Sequence, residues 1–265
     1  MKFQILSDLH NEFLRDRASP PSHLWKGEIP DTKADVIILA GDIDTGLDGI
    51  AWGSRESWRL GKDVVYVMGN HEFYRHEYHA LKERAADLGL NAHVHFLDCG
   101  MCEFGDIRVL GLTLWTDYAS EPAVPRDLAM FHAGVTLADH KVIRIRLGED
   151  SRPFGPEDAL LIHEDERRWL VEQLQIPYAG RTVVVTHHAP HPVCRHPAFS
   201  DSPVNPAFYS NLEEIIAGYD IDLWVYGHTH SNLDVELHGT RIVSNQAGYP
   251  GENVRGFEPG LVIEV

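Results

Sequence analysis

The chain has 265 residues, 43% of them hydrophobic, which is enough to bury a large core in one domain. Its 40 Asp and Glu against 23 Lys and Arg leave a formal charge of -17, which repels polyanions and anionic membranes. No long basic run and no bilayer-length apolar stretch is present, so neither a nucleic acid nor a membrane is expected as a partner.

The first element is an apolar strand at residues 3–6, followed by Asp8 and His10. No charged leader or small-residue cleavage site precedes it, which favours a cytoplasmic protein. A second strand at 36–40 runs into Gly41-Asp42. A helix is expected at 54–61, then a third strand at 64–68 that runs into Gly69-Asn70-His71-Glu72, then a helix at 75–88. Residues 93–97 and 107–112 read as hairpin strands. Cys99 and Cys102 form a lone C-x-x-C there, without the further ligands of a zinc knuckle; three cysteines cannot all pair, and a reduced chain fits best.

Residues 116–157 break the rhythm, mixing four prolines with a basic amphipathic run at 141–146, and read as an insertion or cap over one end. Pro156 suits the start of a helix at 157–175. A strand at 182–186 then delivers His187, a helix follows at 212–217, and a strand at 223–226 leads through Gly227 to His228 and His230. A hairpin at 233–237 and 241–244, turning at Gly239, closes the series. Without repeats or a linker-like tract, residues 1–265 read as one α/β domain: two mixed sheets packed as a sandwich with flanking helices.

Five apolar runs thus end in polar clusters. If the strands are parallel, the clusters share one edge, beyond the carboxyl ends where α/β sheets bind ligands. Asp, His and Asn in the set, with no thiolate, suit Mn, Fe, Co, Ni or Zn. The i, i+2 pairs Asp8/His10 and His228/His230 would project to one side of extended backbone. Seven candidate ligands exceed one tetrahedral zinc site but serve two ions bridged by a carboxylate. Singly, Asp8, Asp42 and Asn70 could be turn or cap residues; it is their ordered recurrence that argues for a site. Gly41, Gly69 and Gly227 read as turn or close-approach positions.

This series resembles the calcineurin-like metallophosphoesterase superfamily over nearly the whole chain. The resemblance implies two divalent or mixed-valence ions, Mn, Fe or Zn. Asp8, His10 and His230 would hold one, Asn70, His187 and His228 the other, and Asp42 would bridge them. It favours His187 over His188 because the ligand follows the strand-ending Thr186. It gives His71 the role of general acid beside the scissile phosphate, with Glu72 outside the catalytic set. The implied activity is hydrolysis of a small phosphorylated substrate by in-line attack of a hydroxide held between the ions.

One departure bears on the substrate. In the related protein phosphatases the second motif continues through a further Asp to an Arg that helps hold a dianionic monoester. Here it reads Asp42-Ile43-Asp44-Thr45-Gly46, with no Arg and with Asp44 one position short. A phosphodiester is therefore favoured over a monoester, with Arg75, Arg195 or the 116–157 segment as other sources of a cation. The competing classes are a phosphomonoesterase or protein phosphatase of the same superfamily, a metal-dependent amidohydrolase, disfavoured by the absence of H-E-x-x-H, and a non-catalytic scaffold. Oligomeric state is not readable from these features.

Overall fold

The computed structural model describes residues 1–15, 24–88 and 93–265. Strands β1 (Lys2–Leu6), β2 (Val36–Ala40), β3 (Asp63–Val67) and β4 (Val94–Phe96) run parallel in one sheet. β5 (Gly100–Phe104), β6 (Ile107–Leu112), β9 (Arg181–Thr186), β10 (Leu223–Tyr226), β11 (Asp234–Leu237) and β12 (Thr240–Ser244) form the second. There β6, β9, β10 and β12 are parallel, with antiparallel β5 and β11 at the edges. β13 (Val262–Glu264) returns to pair antiparallel with β1, and β7 (Arg144–Leu147) with β8 (Asp150–Pro153) makes a separate hairpin.

The helices are α1 (Asn11–Leu14), α2 (Asp48–Leu60), α3 (Tyr78–Ala86), α4 (Arg126–Thr136), α5 (Asp139–Val142), α6 (Pro156–Gln175) and α7 (Glu213–Gly218). Alternation along each strand explains the layering. Phe3, Ile5, Val36, Ile38, Val65 and Val67 meet Val109, Val183, Val185 and Val225 between the sheets. Their neighbours Ile37, Leu39, Val64 and Tyr66 pack outward with Ile50 and Trp52 of α2. On the far side, Leu110, Val184, Trp224 and Ile242 pack with Leu170 of α6 and Ile216 of α7. Both faces of each sheet are covered, which is why the strands read as unbroken apolar runs.

Two expectations change. Residues 93–97 are not a hairpin strand: α3 lies between β3 and β4, so the chain re-enters the sheet parallel to β3, and β5 is the true hairpin partner of β6. Helix α2 also begins at Asp48, well before residue 54. Gly49 lies in its first turn because a Cβ there would overlap the Tyr66 hydroxyl; the glycine that lowers helix propensity lets the helix sit close on the sheet. The 116–157 segment contains α4, α5 and the β7–β8 hairpin. Among the described residues, no helix is long and apolar enough to cross a membrane.

Candidate metal centre

β1, β2, β3, β9 and β10 are parallel within their sheets, so their carboxyl ends deliver Asp8/His10, Asp42, Asn70/His71, His187 and His228/His230 to a common edge. Five of these residues have left-handed backbone: Asp8 (φ 51°), His10 (48°), Asp42 (54°), His228 (70°) and His230 (49°). The i, i+2 pairs therefore converge through tight turns just beyond the strand ends, and not on extended backbone as expected. Such conformations cost L-residues about 1–2 kcal/mol each, so the surroundings must impose them. The Asp8 N–H donates to Gly41 O (3.0 Å), the His10 N–H to Asp42 O (3.0 Å) and the His230 N–H to Gln246 Oε1 (2.6 Å). The His228 N–H donates to the Asp8 carboxylate, at 3.0 and 3.1 Å from its two oxygens.

The side chains gather in two groups. Donor atoms of Asp8, His10 and His230 lie within 4.8 Å of one another, as do those of Asp42, His187 and His228. His10 Nε2 is 3.3 Å from His230 Nε2, and His230 Nε2 is 3.3 Å from Asp8 Oδ1. In the second group His187 Nε2 lies 3.0 Å from Asn70 Oδ1 and 3.4 Å from Asp42 Oδ1. Asp42 stands between them, its Oδ2 4.0 Å from His10 Nε2. His188 stays outside: its Nδ1 faces Thr113 O, and its ring lies 4.2 Å from that of His228.

The imidazoles are oriented alike. His187 Nδ1–H donates to Ala40 O (2.9 Å), His230 Nδ1 is 2.6 Å from Glu252 Oε2, and His10 Nδ1 is 3.2 Å from Glu12 Oε1. With Nδ1 carrying the proton, each Nε2 lone pair faces the interior of the centre, the arrangement that prepares imidazole for a metal. His228 Nε2 is buried with no hydrogen-bond partner. An orphaned lone pair among carboxylates, converging imidazoles and an amide oxygen fits a cation.

Charge balance says the same. Burial opposes protonation of His187, yet Asp42 raises it to about 9; burial likewise opposes that of His230, yet Asp8 and Glu252 raise it to about 10. His228, buried beside His188 and His187, is driven well below the ordinary imidazole range. The carboxylates thus place a surplus of negative charge around these two imidazoles, as a cation site requires.

His71 is in neither of these two groups but forms a third with His10 and Asp42, its Nε2 4.0 Å from Asp42 Oδ2. Its N–H donates to Asp42 Oδ1 (2.8 Å), its Nδ1 lies 3.0 Å from Glu12 Oε1, and its Nε2 lies 2.8 Å from the Tyr249 hydroxyl. Burial opposes the charged ring, but Asp42 and Glu12 raise its pKa overall. Glu12 is the carboxylate at His71, whereas Asp44 pairs with Arg15.

Several contributors escaped the sequence reading. Glu12 extends the alternate spacing of Asp8 and His10 by one step and was visible on that ground. Asp139 accepts from Asn70 Nδ2 (2.8 Å) and the Tyr74 hydroxyl (2.7 Å), but it sits in a segment without strand rhythm. Tyr249 and Glu252 come from the loop after β12, where no apolar pattern marks a site. Glu72, placed outside the catalytic set by the family resemblance, is fully buried. Gly69 shows why the loops must be small: a Cβ there would overlap Asp42 Oδ1. Neither Arg75 nor Arg195 lines the cleft around the centre, and Arg195 pairs with Glu121 at 3.1 Å.

Comparison with known proteins agrees with this fold. The chain is 25% identical to the acyl-carrier-protein phosphodiesterase PptH of Mycobacterium tuberculosis, across 93% of this chain and 78% of that protein. The crystal structure of the phosphopantetheinyl hydrolase PptH superposes with a TM-score of 0.73 at 21% identity, covering 100% of this chain and 95% of that one. A dimetal phosphatase of Danio rerio gives a TM-score of 0.53 at 16% identity, covering 93% and 87%. An uncharacterised protein of Acanthamoeba polyphaga mimivirus is 24% identical across 99% of this chain and 96% of its own length. The family model described as calcineurin-like phosphoesterase matches residues 1–232, a stretch that holds every one of the clustered ligand-type side chains, and the chain belongs to that family.

Proposed function

We propose that the protein is a two-metal phosphodiesterase, in which Asp8, His10 and His230 would hold one ion, Asn70, His187 and His228 the other, and Asp42 would serve both. The approach of His10 Nε2 to His230 Nε2, of His187 Nε2 to Asn70 Oδ1, and the orphaned His228 Nε2 support this set, and its donors suit Mn, Fe or Zn. Ions held there would supply Lewis acidity to the phosphoryl oxygens and would acidify a water. Glu12, Glu252 and the Ala40 carbonyl hold the imidazoles in the tautomer that leaves Nε2 to the centre. His71, protonated and oriented by Glu12, donates its Nε2 proton to the leaving oxygen, and Tyr249 marks the place on that nitrogen where the oxygen would sit. Asp139 keeps the Asn70 amide turned so that its oxygen, not its nitrogen, faces the centre. The 116–157 segment is read as a cap, since Asp139 reaches the site from it.

The single observation favouring a diester is the absence of any lysine or arginine among the described residues that line the cleft. A dianionic monoester gains most from such a cation, whereas a diester carries less charge and depends more on protonation of its leaving group. PptH, by its name, acts on a phosphodiester of a carrier protein, and that substrate class is the first to test. The experiment compares kcat/KM for bis-nitrophenyl phosphate and nitrophenyl phosphate at matched metal loading. The diester should be faster; a faster monoester would overturn the preference.

A further inference from the structure

The cleft that contains the centre has a volume of about 430 Å³, within the range of small-molecule sites, and only part of it is metal-type ligand. Asp42, Asn70, His228 and His230 form one end. Beyond them its walls are Leu137, just past α4, and Phe199, Val204 and Phe208 from the segment between β9 and α7. The Phe208 ring stacks on His228 with centroids 4.7 Å apart, so the apolar wall begins directly at the candidate ligands. Phe199 is 59% exposed, and Leu137 and Val204 are half-buried, so this apolar surface is open to an incoming group.

The electrostatics of the lining narrow the occupant. Its carboxylates other than Asp42 are already engaged, Asp139 by Asn70 and Tyr74 and Glu252 by His230. His196 accepts the Ala198 N–H at Nδ1 and is held below its usual pKa by burial. An anionic substituent would find carboxylates and no ammonium or guanidinium. A cationic one would find Glu252 already facing His230, and would have to shed its water to reach Asp139, which is buried with Oδ1 taken by Asn70 and Tyr74. A short substituent would leave the Leu137, Val204 and Phe199 surface wet.

We propose that this cleft is the subsite for one ester substituent of the substrate and selects an extended chain without net charge. The proposal rests on the phosphodiesterase reading and specifies what it leaves open, the nature of one arm. Ser202 and Asn205 in the same lining give a chain carrying amides or hydroxyls polar neighbours along an otherwise apolar path.

The test uses metal-reconstituted protein and nitrophenyl phosphodiesters whose second ester is methyl, butyl or octyl, with carboxypropyl and trimethylammonioethyl esters as charged counterparts of butyl. We expect kcat/KM to rise about three- to fourfold per methylene buried, and butyl to exceed both charged esters by roughly tenfold. Val204→Asp and Leu137→Ser, at half-buried positions, should flatten that slope. Calorimetric titration with methyl, butyl and octyl phosphonates should give Kd values that fall with chain length in the parent protein. A flat slope, or preference for a charged ester, would overturn the inference while leaving the phosphodiesterase reading intact. If no ester turns over, that reading fails, and the calorimetric slope decides the cleft by itself.

Discussion

Glu72 Oε2 lies 3.0 Å from the backbone nitrogen of Asp42, so a carboxylate from the loop after β3 fixes the backbone of the loop after β2. The same side chain accepts the N–H of Gly69 (2.8 Å), the N–H of Ile43 (2.9 Å) and the hydroxyl of Tyr66 (2.7 Å). Burial and the nearby Asp42 push Glu72 up to about 7, against four donors that favour the anion. Glu72 acts as a post to which the two central ligand loops are tied.

Glu72→Gln should expose that role. An amide accepts only at its oxygen, so with the Asp42 and Gly69 N–H groups kept on that oxygen the NH₂ faces the Ile43 N–H, a cost of about 1–3 kcal/mol. Chemical denaturation should show this loss, and metal affinity of both groups should fall because Asp42 is displaced. Unchanged stability and metal content would contradict it.

Glu12→Gln separates positioning from metal binding. Glu12 Oε1 serves both His10 Nδ1 (3.2 Å) and His71 Nδ1 (3.0 Å), and burial is outweighed by these rings, which lower its pKa to about 2. At saturating metal the variant should lose roughly 10–100-fold in kcat on alkyl diesters and only a few-fold on nitrophenyl diesters, whose leaving oxygen needs little proton. Equal losses on both would remove His71 from the acid role.

Away from the centre, Glu166 supplies a pH dependence of stability. It is buried, accepts the Leu114 N–H at 2.6 Å, and burial raises its pKa to about 8 from 4.5. Because the folded value is above the unfolded one, its stabilising share is complete below about pH 4.5 and is lost as pH rises through about 8. Glu166→Gln should thus be close to neutral at pH 4.5 and more stable than the parent at pH 9, by on the order of 3 kcal/mol. Thermal melts across that range check the sign; a variant that gains at acid pH instead would contradict it.

The strands were legible because both faces of each sheet are buried, so runs such as Val36–Ala40 carry their own boundaries. The ligand-type residues were legible because each follows such a run. The turns that aim them were not: nothing in the residues themselves announces left-handed backbone at His228 or His230, which neighbouring loops impose. The layer of residues that orients the ligands went unread, and only Glu12 lay close enough to a ligand in the chain to signal itself. Glu12 is two positions from His10, whereas Asp139 and Glu252 reach the site through tertiary folding alone.

The central claim, a two-metal phosphodiesterase, is tested most directly by counting ions and activity together. Protein stripped by chelation and titrated with Mn should regain hydrolysis of bis-nitrophenyl phosphate only as the content approaches about two ions per chain. Asp42→Ala should lose occupancy at both positions and the activity with it. Full activity after chelation, or a plateau at one ion per chain, would contradict the account.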